Sequence, residues 1–273
     1  MRILVPTDFS TFSFNAIDFA KKIADQEPSE IFLLHVIEIP SAQFTSSGQS
    51  IEDQMNEKYM LDLSQKVKNQ MSEITKLDDR IKPVVRFGDP YKVITRTLEN
   101  ENIDMLIIGE SGIGDDTDFF IGSLADKLVR SSILPVITVN EIADLPFNSI
   151  LYATDLEEEH KDLITLIKRL QSIFECAIHI VKINTRANYT NEIDTMVELH
   201  RLKDKYDIQN CNLSTYSHED EEYGIVYFAD KVGAGMIALG VNSKSRFRQV
   251  INGGSLAEEV KDHTRRPVLT LRF

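Results

Sequence analysis

The sequence predicts an α/β protein made of two tandem doubly wound domains, each a five-stranded parallel sheet with helices on both faces. Three observations carry this. The chain opens on Arg2-Ile3-Leu4-Val5-Pro6-Thr7-Asp8, and the pattern returns as Ser149-Ile150-Leu151-Tyr152-Ala153-Thr154-Asp155. Toward the end of each half, Gly122-Ser123-Leu124-Ala125 returns as Gly254-Ser255-Leu256-Ala257, and Pro135-Val136-Ile137-Thr138-Val139 as Pro267-Val268-Leu269-Thr270-Leu271. Between these landmarks, short continuous Ile/Val/Leu runs alternate with stretches of helical period, the alternation expected of parallel strands covered on both faces.

In the first half the apolar runs predict strands at 2–6, 30–37, 81–86, 104–108 and 135–139, with helices over 12–26, 52–75, 90–100 and 122–131. Ser10 or Thr11 is the expected N-cap of the first helix, and Asp89-Pro90 opens the third. The second half repeats the order, with strands near 149–153, 177–183, 211–216, 235–239 and 267–271. Its helices are expected over 157–174, 189–206, 221–232 and 254–264. Glu141, Asp144, Pro146 and Asn148 interrupt the apolar pattern, which sets domain 1 at 1–140, a linker at 141–147 and domain 2 at 148–273. The polar, aperiodic stretch from Ser41 to Ser50 reads as a surface loop or as a lid over a crevice.

With 273 residues, 42% hydrophobic and 27% charged, the composition suits a soluble pair of domains. A net charge of −13 disfavours nucleic acid and anionic membranes as partners. Two cysteines, Cys176 and Cys211, cannot form a disulfide framework and are expected as reduced thiols. The apolar start, Met1 through Pro6, breaks at Thr7-Asp8, too soon for a signal peptide, and no run spans a bilayer, so the expected location is cytoplasmic.

The fourth strand of the first half ends in Ile107-Ile108-Gly109-Glu110-Ser111-Gly112, and Gly122-Ser123 follows with nine residues between Gly112 and Gly122. Glycines let backbone turn and approach a ligand closely. The helix that opens beside Gly122 offers unpaired N–H groups and the positive end of its dipole. Strand end, glycine loop and helix N-terminus together suit a phosphate.

These residues, with Ile3 through Ser10, the strand end Leu33-Leu34-His35-Val36 and the closing Pro135 through Val139, resemble the universal stress protein domain, and the chain resembles a tandem member. The resemblance implies the strand order 3-2-1-4-5 and an adenine nucleotide (ATP, ADP or AMP, with or without Mg²⁺) at the strand C-termini. Carried over position by position, Asp8 and Val36 would border the adenine. Ile108, Gly109 and Gly112 would wrap the ribose and first phosphates, and Gly122, Ser123 and Leu124 would meet the outer phosphates. The family commonly dimerises through its last strand. In a tandem chain this implies an intramolecular pseudo-dimer through 135–139 and 267–271, and it leaves a further homodimer and an unknown protein partner open.

Both halves depart from that pattern. Asp115, Asp116 and Asp118 crowd the first glycine loop, where each carboxylate would oppose a phosphate by about 1–4 kcal/mol at 4 Å unless it faces solvent or shares a cation. The second loop has Ser243 in place of the second glycine and one extra residue, and it carries Lys244, Arg246 and Arg248. Lys182 reads as the counterpart of Val36, which makes the second site degenerate. The acidic and basic loops also suit an interdomain clasp. His218-Glu219-Asp220-Glu221-Glu222 reads as a solvated helix start, and His35 as a hydrogen-bonded structural residue. No nucleophile elbow, metalloprotease helix or P-loop lysine is present, so any enzymatic activity is expected to be at most slow ATP hydrolysis. The alternatives are a ligand-free interaction scaffold and a weak nucleotide hydrolase.

Overall fold

The computed structural model describes residues 1–38, 51–76, 78–110, 121–140, 147–156, 160–241 and 264–272, with backbone alone at 51–57, 121–123 and 241. The first half runs β1 (Arg2–Pro6), α1 (Thr11–Gln26), β2 (Glu30–Ile37), α2 (Ile51–Thr75), β3 (Ile81–Phe87), α3 (Pro90–Asn100), β4 (Met105–Gly109), α4 (Ile121–Ser131) and β5 (Val136–Val139). The second half gives β6 (Ser149–Ala153), α5 (Lys161–Phe174), β7 (Ala177–Asn184), α6 (Glu192–Lys205), β8 (Cys211–Ser217), α7 (Glu221–Val232), β9 (Met236–Val241) and β10 (Val268–Arg272). The expected helix 254–264 apart from Thr264, the Ser41–Ser50 stretch and both charged loops lie outside the described residues, as does all of the linker except Phe147.

Local chemistry sets the helix ends. The Ser10 side chain accepts from Ser13 N to cap α1, and Asp89 accepts from Lys92 N with Pro90 in the first turn of α3. Asp220 caps α7 twice over, through Glu222 N and Tyr223 N, and Gly233 ends that helix at φ 62°. Helix α6 starts three residues later than the sequence suggests. Asn191 accepts from Ile193 N there, and the residues before it are folded into a loop that is described below.

All strands join one ten-stranded sheet, in the order β3-β2-β1-β4-β5-β10-β9-β6-β7-β8. Each half is parallel in the order 3-2-1-4-5, and the halves meet at an antiparallel seam that pairs Thr138 with Val268, Ile137 with Leu269 and Val136 with Thr270. One face is a single apolar core crossing the seam. It takes in Phe19 of α1, Met71 of α2, Leu163 and Phe174 of α5, Leu199 of α6, and Ile137 and Leu269 of the seam strands. The opposite face carries two separate cores, one under α3 and α4 and one under α7.

Among the described residues no helix is long and apolar enough to cross a membrane. Cys176 and Cys211 are free thiols, and burial pushes both up to about 11, so neither is an activated nucleophile.

Candidate functional site

The strand order reverses between β1 and β4, and in open α/β sheets ligands settle at such a switch point beyond the strand C-termini. The turn after β1 is built by Thr7. Its buried hydroxyl accepts from Phe9 N at 3.0 Å and meets the Ser13 hydroxyl at 2.9 Å, while Thr7 N donates to Leu34 O at 2.8 Å. Phe9 is held at φ 65°, a strained value for a side-chain-bearing residue. The same device recurs after β6, where Thr154 Oγ1 accepts from Leu156 N at 3.1 Å and Leu156 stands at φ 64°. The repeated Thr-Asp pair therefore has a conformational cause before any ligand is invoked.

Asp8 follows the end of β1, exposed, with Oδ1 accepting from Ser10 N at 2.9 Å. His35, on the α1–α2 side of β2, places Nδ1 2.7 Å from Thr7 O and stacks its ring on Phe9 at 4.7 Å, the structural role expected of it. Val36 points to the other face. There Val36, Ile108 and Leu124 share the apolar cluster under α3 and α4. Gly109 ends β4, and the backbone of Gly122 and Ser123 lies in the first turn of α4. Gly112 lies outside the described residues. Glu110, just past Gly109, is buried, with its N–H on Val139 O at 3.0 Å.

Two readings of the second half need correction. Strand register pairs Pro6 with Leu34 in one half and Ala153 with Val181 in the other. Hence the counterpart of Val36 is Ile183, and Lys182 matches His35. A one-residue slip along a strand moves a side chain to the opposite face. Ile183 is 2% exposed and belongs to the apolar cluster under α7, so the second crevice keeps an apolar edge. Lys182 lies on the other face, where its ammonium donates to Asn184 Oδ1, Asn188 O and Thr190 Oγ1 at 3.0, 3.0 and 2.8 Å.

The acidic run before α7 is not wholly solvated either. Glu222 is 8% exposed, and its Oε2 has no hydrogen-bond partner. By position in the helix it replaces Tyr91 of α3, which packs against the apolar cluster of the first half. Burial, reinforced by Asp220 and Glu221, pushes its carboxyl up to about 7. Sequence reasoning missed Glu222 because acids at a helix start are ordinarily exposed. Its spacing of three and seven from Ile225 and Ala229 was the available signal. No cluster of metal-ligating side chains occurs among the described residues.

Residues 1–140 match the sequence model of the universal stress protein family. Universal stress protein MJ0577 of Methanocaldococcus jannaschii is 25% identical over 151 residues, which cover 50% of this chain and 93% of that one. A crystal structure of a universal stress protein from Archaeoglobus fulgidus has a similar fold over 99% of this chain and 98% of its own, with a TM-score of 0.73 at 20% identity. A second, a putative universal stress protein from Pseudomonas aeruginosa, covers 99% of this chain and 92% of its own, with a TM-score of 0.62 at 16% identity.

Proposed function

Since the chain belongs to the universal stress protein family, we propose that it is a stress-response regulatory module whose first half binds an adenine nucleotide at the crevice between β1 and β4. The observation that carries the reading is the switch point itself, with Asp8 beyond one strand end, Gly109 at the other and α4 opening beyond them. In this reading Asp8 and Val36 border the adenine, and Ile108, Gly109 and Gly112 follow the ribose and inner phosphates. Gly122, Ser123 and Leu124 supply helix N-terminal donors to the outer ones. Bound nucleotide changes the surface offered to a partner protein. The second half, residues 148–273, serves as pseudo-dimer partner, its own crevice altered by the buried Glu222 carboxyl and by the loss of the second glycine.

Calorimetric titration of nucleotide-stripped protein with ATP, ADP and AMP, with and without Mg²⁺, tests this. One saturable site per chain, lost in Gly112→Glu without loss of fold, is the expected result. The order of preference reports on Asp115, Asp116 and Asp118, since carboxylates facing the pocket favour fewer phosphates or a bridging Mg²⁺. No heat at millimolar nucleotide would overturn the reading and leave the ligand-free scaffold. Mg²⁺-dependent turnover abolished by the same variant would make the module a slow hydrolase.

A further inference from the structure

An open cavity of about 590 Å³ lies in the second half, between the loops that follow β7 and β8. Its walls include Asn184, Arg186, Tyr189, Ser217, His218 and Glu219. The cleft is wide open to solvent, so the residues on its walls, and not its volume, decide what it can hold.

The first wall is rigid by construction. The buried Lys182 ammonium ties down Asn184, Asn188 and Thr190. Asn188 Oδ1 in turn accepts from Thr185 N at 2.6 Å and from Thr185 Oγ1 at 3.0 Å. On this fixed loop Tyr189 is 70% exposed, with no core to justify an aromatic ring there. The second wall is fixed by His218, whose N–H donates to Asn184 O at 3.0 Å and whose Nδ1 lies 2.8 Å from Asp220 O and 3.1 Å from Asp220 N. Its ring packs 5.4 Å from Tyr227. Across the mouth, Arg186 and Glu219 stand 3.8 Å apart, with side chains 93% and 89% exposed. Such an exposed pair adds almost nothing to stability. It does present opposite charges at a spacing that suits the carboxylate and ammonium of one α-amino acid, whose two charged groups sit on a single carbon.

We propose that this cavity binds a free amino acid with an aromatic side chain. Its carboxylate engages the planar fork of Arg186, its ammonium engages Glu219, and its ring lies against Tyr189 and the His218 imidazole. The site is separate from the nucleotide crevice of the first half and does not depend on it.

Amide NMR titration of the full chain with L-phenylalanine tests the assignment, with 3-phenylpropionate and phenethylamine as probes lacking one charge each. Saturable shifts confined to 184–191 and 217–220 are expected for L-phenylalanine. Binding roughly fivefold weaker is expected for either singly charged probe, in line with exposed ion pairs. Arg186→Glu is expected to weaken L-phenylalanine by a similar factor, and Arg186→Glu with Glu219→Arg to restore it. Both positions are on the surface, so folding is not at risk. Tyr189→Ala is expected to lose the shifts of all three probes, while ATP titration of every variant stays as in the parent chain. Equal affinity for all three probes, failure of the charge swap to rescue, or no shift at the solubility limit of L-phenylalanine would overturn the proposal.

Discussion

At Gly109 a Cβ would stand 2.3 Å from both the carbonyl carbon and oxygen of Phe12 and 2.6 Å from Ser13 N, all backbone atoms at the start of α1. The missing side chain is therefore required by helix packing, whatever a ligand also requires. Gly109→Ala is expected to destabilise the fold by about 1–3 kcal/mol, as overpacking does, and urea denaturation measures it. A loss of nucleotide in that variant would accordingly say little about contact, which is why Gly112→Glu is the better probe. Glu222 makes a second prediction at this scale. Its carboxyl is raised from 4.5 to about 7, so the folded chain keeps a proton that the unfolded chain releases above pH 4.5. The stability this group contributes is complete below pH 4.5, is lost as pH rises to about 7, and stays lost above that. Glu222→Gln holds the site neutral at every pH. It is expected to match the parent chain at pH 4 and exceed it by about 2–3 kcal/mol at pH 8 in denaturant titrations, whereas a pH-independent difference would contradict the buried carboxyl.

Strands and helices were legible where one physical cause acts locally. Continuous runs such as Glu30–Ile37 and Met105–Gly109 announce buried parallel strands, and Asp89-Pro90 announces α3 because cap and ring both act within one turn. Register was not legible, because it is fixed by pairing partners remote in sequence. A slip of one residue interchanged Lys182 and Ile183, and with them the two faces of β7. The site was legible to the same depth. Asp8 and Gly109 fall at strand ends that the alternation of elements already implied, but the contact between Gly109 and Phe12 joins residues far apart in the chain and leaves no local pattern. Lys182 shows what the face assignment means for an element. Its ammonium organises the loop between β7 and α6, so Lys182→Met removes one donor from three acceptors. A loss of about 2–4 kcal/mol is expected, with faster amide exchange confined to 184–191. Unchanged exchange there would mean that the Asn184 and Asn188 side chains hold the loop without the ammonium.

The whole molecule is organised around the seam between β5 and β10. All four residues of β5 are buried, and the core on the α1–α5 side runs through the seam without a break. Phe174 links Phe19 of the first half, at 6.0 Å, to Phe147, at 4.6 Å, and Arg169 pairs with Glu27 across the same boundary. Asn15 donates to Asn140 O, and the Asn140 side chain donates to Thr264 O, so the chain leaving β5 is tied to the chain entering β10. The outer edges are different. The β3 edge carries Lys82, Pro83 and Arg86, features that resist strand addition, and β8 is mostly polar. The β5 edge is thus already filled by β10 within one chain, and any further homodimer has to use another surface. Residues 1–140 expressed alone would expose the β5 edge together with Phe19, an apolar face with unpaired backbone groups beside it. They are expected to self-associate through β5 in the antiparallel sense, giving a dimer in sedimentation at micromolar concentration, while the full chain sediments as a monomer. Pro135 O and Val139 O face β4, so by alternation Val136 and Thr138 face the seam, and replacing Thr138 by Pro in the fragment removes a seam donor and is expected to abolish that dimer. A fragment that stays folded and monomeric would show that the inter-half helix contacts, and not strand pairing, hold the two halves in register.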